Sequence, residues 1–86
     1  MLDHLTVINE YASIRRGEHP AWDGDRIANS DYFAWTVGRD FPEDAMSLIQ
    51  SVKDATNEYS RLTGLPERSL LIFCSECIKG INSIKS

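Results

Sequence analysis

The sequence lacks a long hydrophobic run, since the longest one covers only the five residues 70–74. A segment this short is far below the roughly 20 apolar residues that a membrane-spanning helix needs. The N-terminal residues contain neither a basic segment nor a continuous apolar stretch, and no Asn-x-Ser/Thr sequon occurs. The two cysteines are too few for a disulfide scaffold. We therefore expect no signal peptide, no membrane association and a cytoplasmic location.

Positive charge is also scarce. Nine Lys and Arg residues stand against 13 Asp and Glu residues, a net charge of -4. This balance argues against a nucleic-acid-binding protein, which needs basic side chains for the phosphates. Apolar residues make up 42% and charged residues 26% of the chain, which is typical of globular proteins and argues against disorder. We predict one helical domain over residues 1–86 that does not contact nucleic acid directly.

Helical periodicity and capping residues define a first helix from Asp3 to Arg16. Asp3 is suited to cap its N-terminus and Gly17 to end it. One apolar stripe of this helix consists of Leu2, Leu5, Ile8 and Ala12.

A last helix is predicted to start at residues 65–67, with Pro66 and Glu67 in its first turn. Its apolar residues cover an arc of about 160°. They are Leu70, Leu71, Phe73, Cys74, Cys77, Ile78, Ile81 and Ile84. Ile72 falls among polar residues on the other side of this helix. So wide an apolar arc indicates a central helix or one that also contacts a partner chain.

The middle of the chain predicts one further long helix and one ambiguous segment. Asp40 and Glu43 have the spacing of a capping box before a periodic apolar pattern that ends at Gly64. Residues 30–37 fit a short helix capped by Ser30 and ended by Gly38, but their aromatic content also fits a strand. We favour the helix, because a lone strand has no obvious partner. The predicted fold is an all-α bundle of three longer helices plus this short one.

No residue pattern predicts catalysis or a metal site. Cys74 and Cys77 form a C-x-x-C pair, but Cys74 lies about two turns into a helix, whereas a redox cysteine is activated at a helix N-terminus. A zinc site would need two further ligands, and His4 and His19 are distant in sequence. We therefore predict buried thiols, no metal, no cofactor and no enzymatic activity.

The excess acid lies in residues 21–44, which hold six Asp and Glu residues, two Arg residues and five of the eight aromatics. In one interpretation the aromatics fill the open side of a helical hairpin and the acids form its solvated rim. In the other, some aromatics are exposed anchors within an acidic ring that attracts a basic partner. The predicted contact surface consists of Trp22, Asp23, Asp25, Asp31, Tyr32, Asp40, Glu43 and Asp44.

The string Glu18-His19-Pro20 followed by acids, then Tyr32 and a helix led by Pro42, resembles the small immunity proteins of nuclease bacteriocins. The resemblance covers under half of the chain, its spacing differs, and the paired tyrosines of that family are missing. It implies a class of function only, the neutralisation of a basic toxin by acidic and aromatic residues. Phage-encoded inhibitors share the same size and acidity.

The predicted function is a non-catalytic inhibitor or immunity-type factor of phage or bacterial kind, which occludes a basic surface or active site of a partner protein. The partner would be an enzyme or a nucleic-acid-binding protein. The alternative is a homodimeric helical adaptor or secretion-type chaperone. This alternative predicts assembly through the last helix, with Ile72 and Phe73 as contacts.

Overall fold

The computed structural model describes residues 3–84, which form five α-helices and, over that range, no strand. The prediction of an all-α fold is confirmed. The predicted arrangement of three longer helices and a short one is not, because the helices have 13, 15, 13, 8 and 17 residues. They are α1 (His4–Arg16), α2 (Arg26–Asp40), α3 (Pro42–Asp54), α4 (Thr56–Thr63) and α5 (Glu67–Ser83).

Helix α1 has the predicted ends. The carboxylate of Asp3 accepts a hydrogen bond from the backbone N–H of Thr6 at 3.1 Å, and Gly17 adopts the left-handed conformation that ends the helix. Ile8 and Ala12 of the predicted stripe are buried, whereas Leu5 is largely exposed. Leu2 lies outside the described residues.

Helix α2 is longer than the short helix predicted for residues 30–37. Asp25 caps it, because Asp25 Oδ1 accepts hydrogen bonds from the N–H groups of Ile27 and Ala28, both at 3.1 Å. Ser30 is not a cap but a buried residue of the second turn. Gly38 does not end the helix, which continues to Asp40.

The long helix predicted after Asp40 is divided into α3 and α4. Ala55 has φ -134° and ψ 41°, which interrupts the helix. The hydroxyl of Thr56 donates to the carbonyl of Val52 at 2.8 Å, and such a side-chain bond competes with the backbone hydrogen bonds of a helix. The predicted capping box is also wrong, because Asp40 is the last residue of α2 and Phe41 occupies the N-cap position of α3.

Helices α2 and α5 cross with their backbones in direct contact. A Cβ atom added to Gly38 would lie 2.0 Å from the carbonyl oxygen of Cys77. In the reciprocal position, a Cβ atom on Gly80 would lie 2.0 Å from the carbonyl oxygen of Trp35. The two glycines therefore set the separation of the helices and place the backbone of Trp35 against α5.

The hydrophobic core lies where α5 contacts α2, α3 and α4, with α1 packed on α2. The rings of Tyr11 and Phe73 meet edge to face with centroids 4.8 Å apart. The hydroxyl of Tyr11 donates to the carbonyl of Ser69 at 3.0 Å, and burial raises the pKa of Tyr11 to about 12. Apolar side chains that are fully or almost fully buried include Ile8, Ile14, Leu48, Val52 and Leu70.

Candidate functional site

An aromatic cluster covers the outward side of α2 and the loop before it. The ring of Trp22, from the loop, lies 6.1 Å from that of Tyr32 and 6.4 Å from that of Phe33. Tyr32 in turn stacks on Trp35, with centroids 6.0 Å apart and an interplanar angle of 24°. We call Trp22, Tyr32, Trp35 and Arg39, which extends the stack, the aromatic surface.

Arg39 completes this surface and also binds a carboxylate. Its guanidinium carbon lies 4.8 Å from the centroid of the Trp35 ring. Its Nε and Nη2 atoms donate to Asp40 Oδ1 and Oδ2 at 2.8 and 3.1 Å. The hydrogen bonds from Arg39 lower the pKa of Asp40, and those to Asp40 raise the pKa of Arg39. Both groups stay charged at neutral pH as one ion pair.

The members of the aromatic cluster differ in their solvent exposure. Tyr32 is 52% exposed, whereas Trp22, Phe33 and Trp35 are half-buried. The rings therefore partly fill the space between the loop and α2, and the ring of Tyr32 stays largely open to solvent.

His19 holds the loop that carries Trp22. The N–H of Ala21 donates to His19 Nδ1 at 3.0 Å, and the N–H of Trp22 donates to the carbonyl of His19 at 3.3 Å. Nδ1 thus accepts, and the other ring nitrogen, Nε2, contacts the carboxylate of Glu10 on α1. His19 thus positions Trp22 and joins the loop to α1.

The predicted acidic residues divide into two groups. Helix α2 rises about 22 Å over its 15 residues, which places Asp23 and Asp25 at one end and Asp40, Glu43 and Asp44 at the other. Glu43 and Asp44 lie in the first turn of α3, where acidic side chains favour the helix N-terminus. The structure does not bring the eight predicted residues into one patch.

Several of these acids also have intramolecular partners. Asp31 pairs with Arg15 of α1 at 3.1 Å, and Asp40 pairs with Arg39. Asp25 caps α2 through Oδ1, and Asp23 Oδ1 accepts from the N–H of Gly24 at 2.9 Å. The acidic ring is therefore weaker than the sequence predicts. Within the described residues, the predicted acids without a cationic partner are Asp23 and Asp25 at the loop end of α2 and Glu43 and Asp44 at the other end.

The thiols of Cys74 and Cys77 are buried in the core, as predicted. Burial raises the pKa of both thiols, so both are protonated and poorly nucleophilic at neutral pH. Within residues 3–84, no group of three or more His, Cys, Asp or Glu side chains is arranged to hold a metal ion.

His4 makes a contact that resembles a catalytic pair. Its Nδ1 atom lies 2.9 Å from the hydroxyl oxygen of Ser51 on α3. A serine nucleophile also needs its base oriented by a third group and an oxyanion site. The neighbouring carboxylate of Asp3 accepts hydrogen bonds from Thr6 instead of from His4. The contact between His4 and Ser51 therefore serves to link α1 to α3.

The predicted dimer contacts on α5 need correction. Phe73 is fully buried against Tyr11 and is not available to a second chain, and Ile72 is half-buried. The apolar side chains that α5 exposes are Leu71 and Ile78, at 50% and 40% exposure. They lie seven residues apart on one side of the helix, because two helical turns separate them.

The sequence did not single out Trp35 and Arg39 as members of the site. The positions of Tyr32, Trp35 and Arg39 have the i, i+3, i+7 spacing of one helical face. That spacing is the signal in the sequence, but a helix that ends at Gly38 excludes Arg39 from the face.

None of the helices in the described part of the chain is both long and apolar enough to cross a membrane. Comparison of the chain with protein-family models, curated protein sequences and solved structures finds no match.

Proposed function

We propose that this chain is a non-catalytic protein-binding factor of the inhibitor or immunity type, acting in the cytoplasm. The aromatic surface on α2 carries the proposal. Tyr, Trp and Arg are the residue types most enriched among interface residues that dominate binding energy, and here they form one continuous row of side-chain contacts.

The charge around the aromatic surface favours a basic partner protein. Asp23 and Asp25 lie at its loop end without a cationic partner among the described residues. Acidic groups at the edge of an interface accelerate encounter with a basic surface and disfavour acidic competitors. The mechanism is occlusion, in which the stack contacts the partner and covers its active or binding surface.

Crosslinking and capture test this proposal. A photo-crosslinker at Ala21, which is exposed and adjacent to Trp22, should attach to a partner in cell extract, and mass spectrometry then identifies it. With the purified partner, we expect the pair Trp22→Ala/Tyr32→Ala to weaken binding at least about 30-fold, since truncation of even one hot-spot residue costs about 2 kcal/mol or more. Isothermal calorimetry measures the dissociation constant.

Leu62→Ala is the matched control, because Leu62 is an exposed apolar residue on α4, away from the aromatic surface. It should leave binding unchanged. Equal binding by the wild-type chain and by a folded Trp22→Ala/Tyr32→Ala variant would refute the proposed surface.

A second candidate function is a homodimeric helical adaptor or chaperone. The exposed pair Leu71 and Ile78 on α5 favours it, because an apolar stripe on one helical side is suited to a second helix. If the chain has this function, light scattering should give a mass of twice 9.7 kDa. Leu71→Glu/Ile78→Glu should return the mass to that of the monomer. A wild-type monomer at millimolar concentration would eliminate it.

A further inference from the structure

The aromatic surface already binds one guanidinium within the chain. Arg39 lies over the face of Trp35 at 4.8 Å while its two N–H groups bind the carboxylate of Asp40. An aromatic face together with a carboxylate is thus a guanidinium site that this chain has built at one end of the stack.

Within residues 3–84, the same two components occur toward the loop end without a cation over the ring of Trp22. Trp22 and Tyr32 supply the rings, and Asp25 supplies the carboxylate. The side chain of Tyr32 is shared between the two ends, because it also interacts with Arg39. Both capping bonds of Asp25 end on Oδ1, so Oδ2 has no partner among residues 3–84. The nearest arginine in sequence, Arg26, extends instead toward Gly17 at the end of α1.

The helix places these components on one side. Asp25 precedes Tyr32 by seven residues, which is about two turns, so the two share a side of α2. Ala28 lies between them, three residues after Asp25 and four before Tyr32, and is exposed. Its side chain is only a methyl group, and the side chain of the neighbouring Asn29 is held against the loop, since its Nδ2 donates to the carbonyl of Asp23 at 3.0 Å.

We infer that the open end of the aromatic surface receives an arginine side chain of the basic partner, against Trp22 and Tyr32 and beside Asp25. This inference rests on the proposed function and specifies the partner's chemistry. The planar guanidinium can stack on a ring and bind a carboxylate at once, whereas the ammonium of lysine is a compact, strongly hydrated charge. Nucleic acid and anionic lipid are disfavoured, because Asp23 and Asp25 repel phosphate.

Two peptides test the inference without an identified partner. The probes are acetyl-Gly-Arg-Gly-Arg-Gly-amide and the same peptide with lysine in place of both arginines. Each is titrated at low salt into the ¹⁵N-labelled chain. The sequence has two tryptophans, so the two indole N–H signals report on the two ends of the stack. We expect the arginine peptide to bind about three- to tenfold more tightly than the lysine peptide and to shift the Trp22 signal most.

Variants separate stacking from charge. Tyr32→Leu should reduce the arginine-to-lysine affinity ratio to about one, and Trp22→Leu provides the same test from the loop. Asp25→Asn retains a capping residue and should weaken arginine-peptide binding about threefold. Asp54→Asn removes the same charge from an exposed position at the end of α3 and should leave the affinity for both peptides unchanged.

Equal affinity of the wild-type chain for both peptides, or signal shifts remote from Trp22, would overturn the inference. An arginine-to-lysine ratio that survives Tyr32→Leu in the folded chain would overturn it as well. These outcomes leave the proposed function standing if the identified partner still depends on Trp22 and Tyr32. Arginine selectivity without such a dependence would instead remove the proposed function.

Discussion

Gly38→Ala should lower the free energy of unfolding by about 3 kcal/mol, although alanine favours helices over glycine by about 1 kcal/mol. The reason is the crossing of α2 and α5. The added Cβ would lie 2.0 Å from the carbonyl oxygen of Cys77 and 2.8 Å from its carbonyl carbon. These are backbone atoms, so rotation of a side chain cannot relieve the overlap, and the helices must separate.

Gly80→Ala should have a similar cost and should also disturb the candidate site. Its Cβ would lie 2.0 Å from the carbonyl oxygen of Trp35 and 2.8 Å from the nitrogen of Arg39. Both residues belong to the aromatic surface. We therefore expect the indole N–H signal of Trp35 to move more in Gly80→Ala than that of Trp22.

Chemical denaturation of purified variants measures both effects. Ala28→Gly on the exposed side of α2 is the control, and it should lose only about 1 kcal/mol through helix propensity. If helix propensity governed these positions, Gly38→Ala would be more stable than the wild type. That result would contradict the close approach of α2 and α5.

The second large effect is expected for Phe73→Ala, which should lower the free energy of unfolding by about 4 kcal/mol. Phe73 is fully buried and its ring contacts Tyr11 edge to face. Truncation removes this contact and leaves a cavity beside the buried hydroxyl of Tyr11. An 86-residue domain has a total stability of roughly 4–13 kcal/mol, so the variant would lose about a third or more of it.

Phe41→Ala is the matched control, because the same side chain is removed where it is 48% exposed. It should lose about 1 kcal/mol. Circular dichroism during thermal and urea unfolding distinguishes the two variants. Similar stabilities for both would contradict the central position of Phe73 and would restore it as a candidate contact for a second chain.

Local sequence signals predicted several helix ends correctly. Asp3 and Gly17 bound α1, and Gly64 ends α4 in the left-handed conformation. A cap depends on a side chain and on backbone groups only a few residues away, so the sequence contains all the information needed. Helix α5 begins at Glu67, within the predicted residues 65–67, with Pro66 at the N-cap position and not in the first turn.

Other features depended on distant residues. Gly38 was interpreted as a helix terminator, but its missing side chain serves the contact with α5. The apolar pattern predicted one helix across Ala55. Periodicity does not show that the hydroxyl of Thr56 donates to the carbonyl of Val52 and so competes with a backbone hydrogen bond of the helix.

The candidate site was predicted in part. Residues 21–44 were identified as the acidic and aromatic segment, and Trp22 and Tyr32 are in contact there. Trp35 and Arg39 were not included, and Asp31 and Asp40 are in ion pairs. Composition locates charge along a chain, but the neutralisation of Asp31 requires Arg15 from another helix.

The sequence by itself determined the helical class, the buried thiols and the segment in which acid and aromatic residues concentrate. These properties follow from residue type and short-range periodicity. The tertiary structure alone decided which acids remain unpaired, which aromatic edges stay exposed and how closely α2 and α5 approach. The reason is that each of these depends on atoms from separate helices, whose relative positions are set by packing of the whole core.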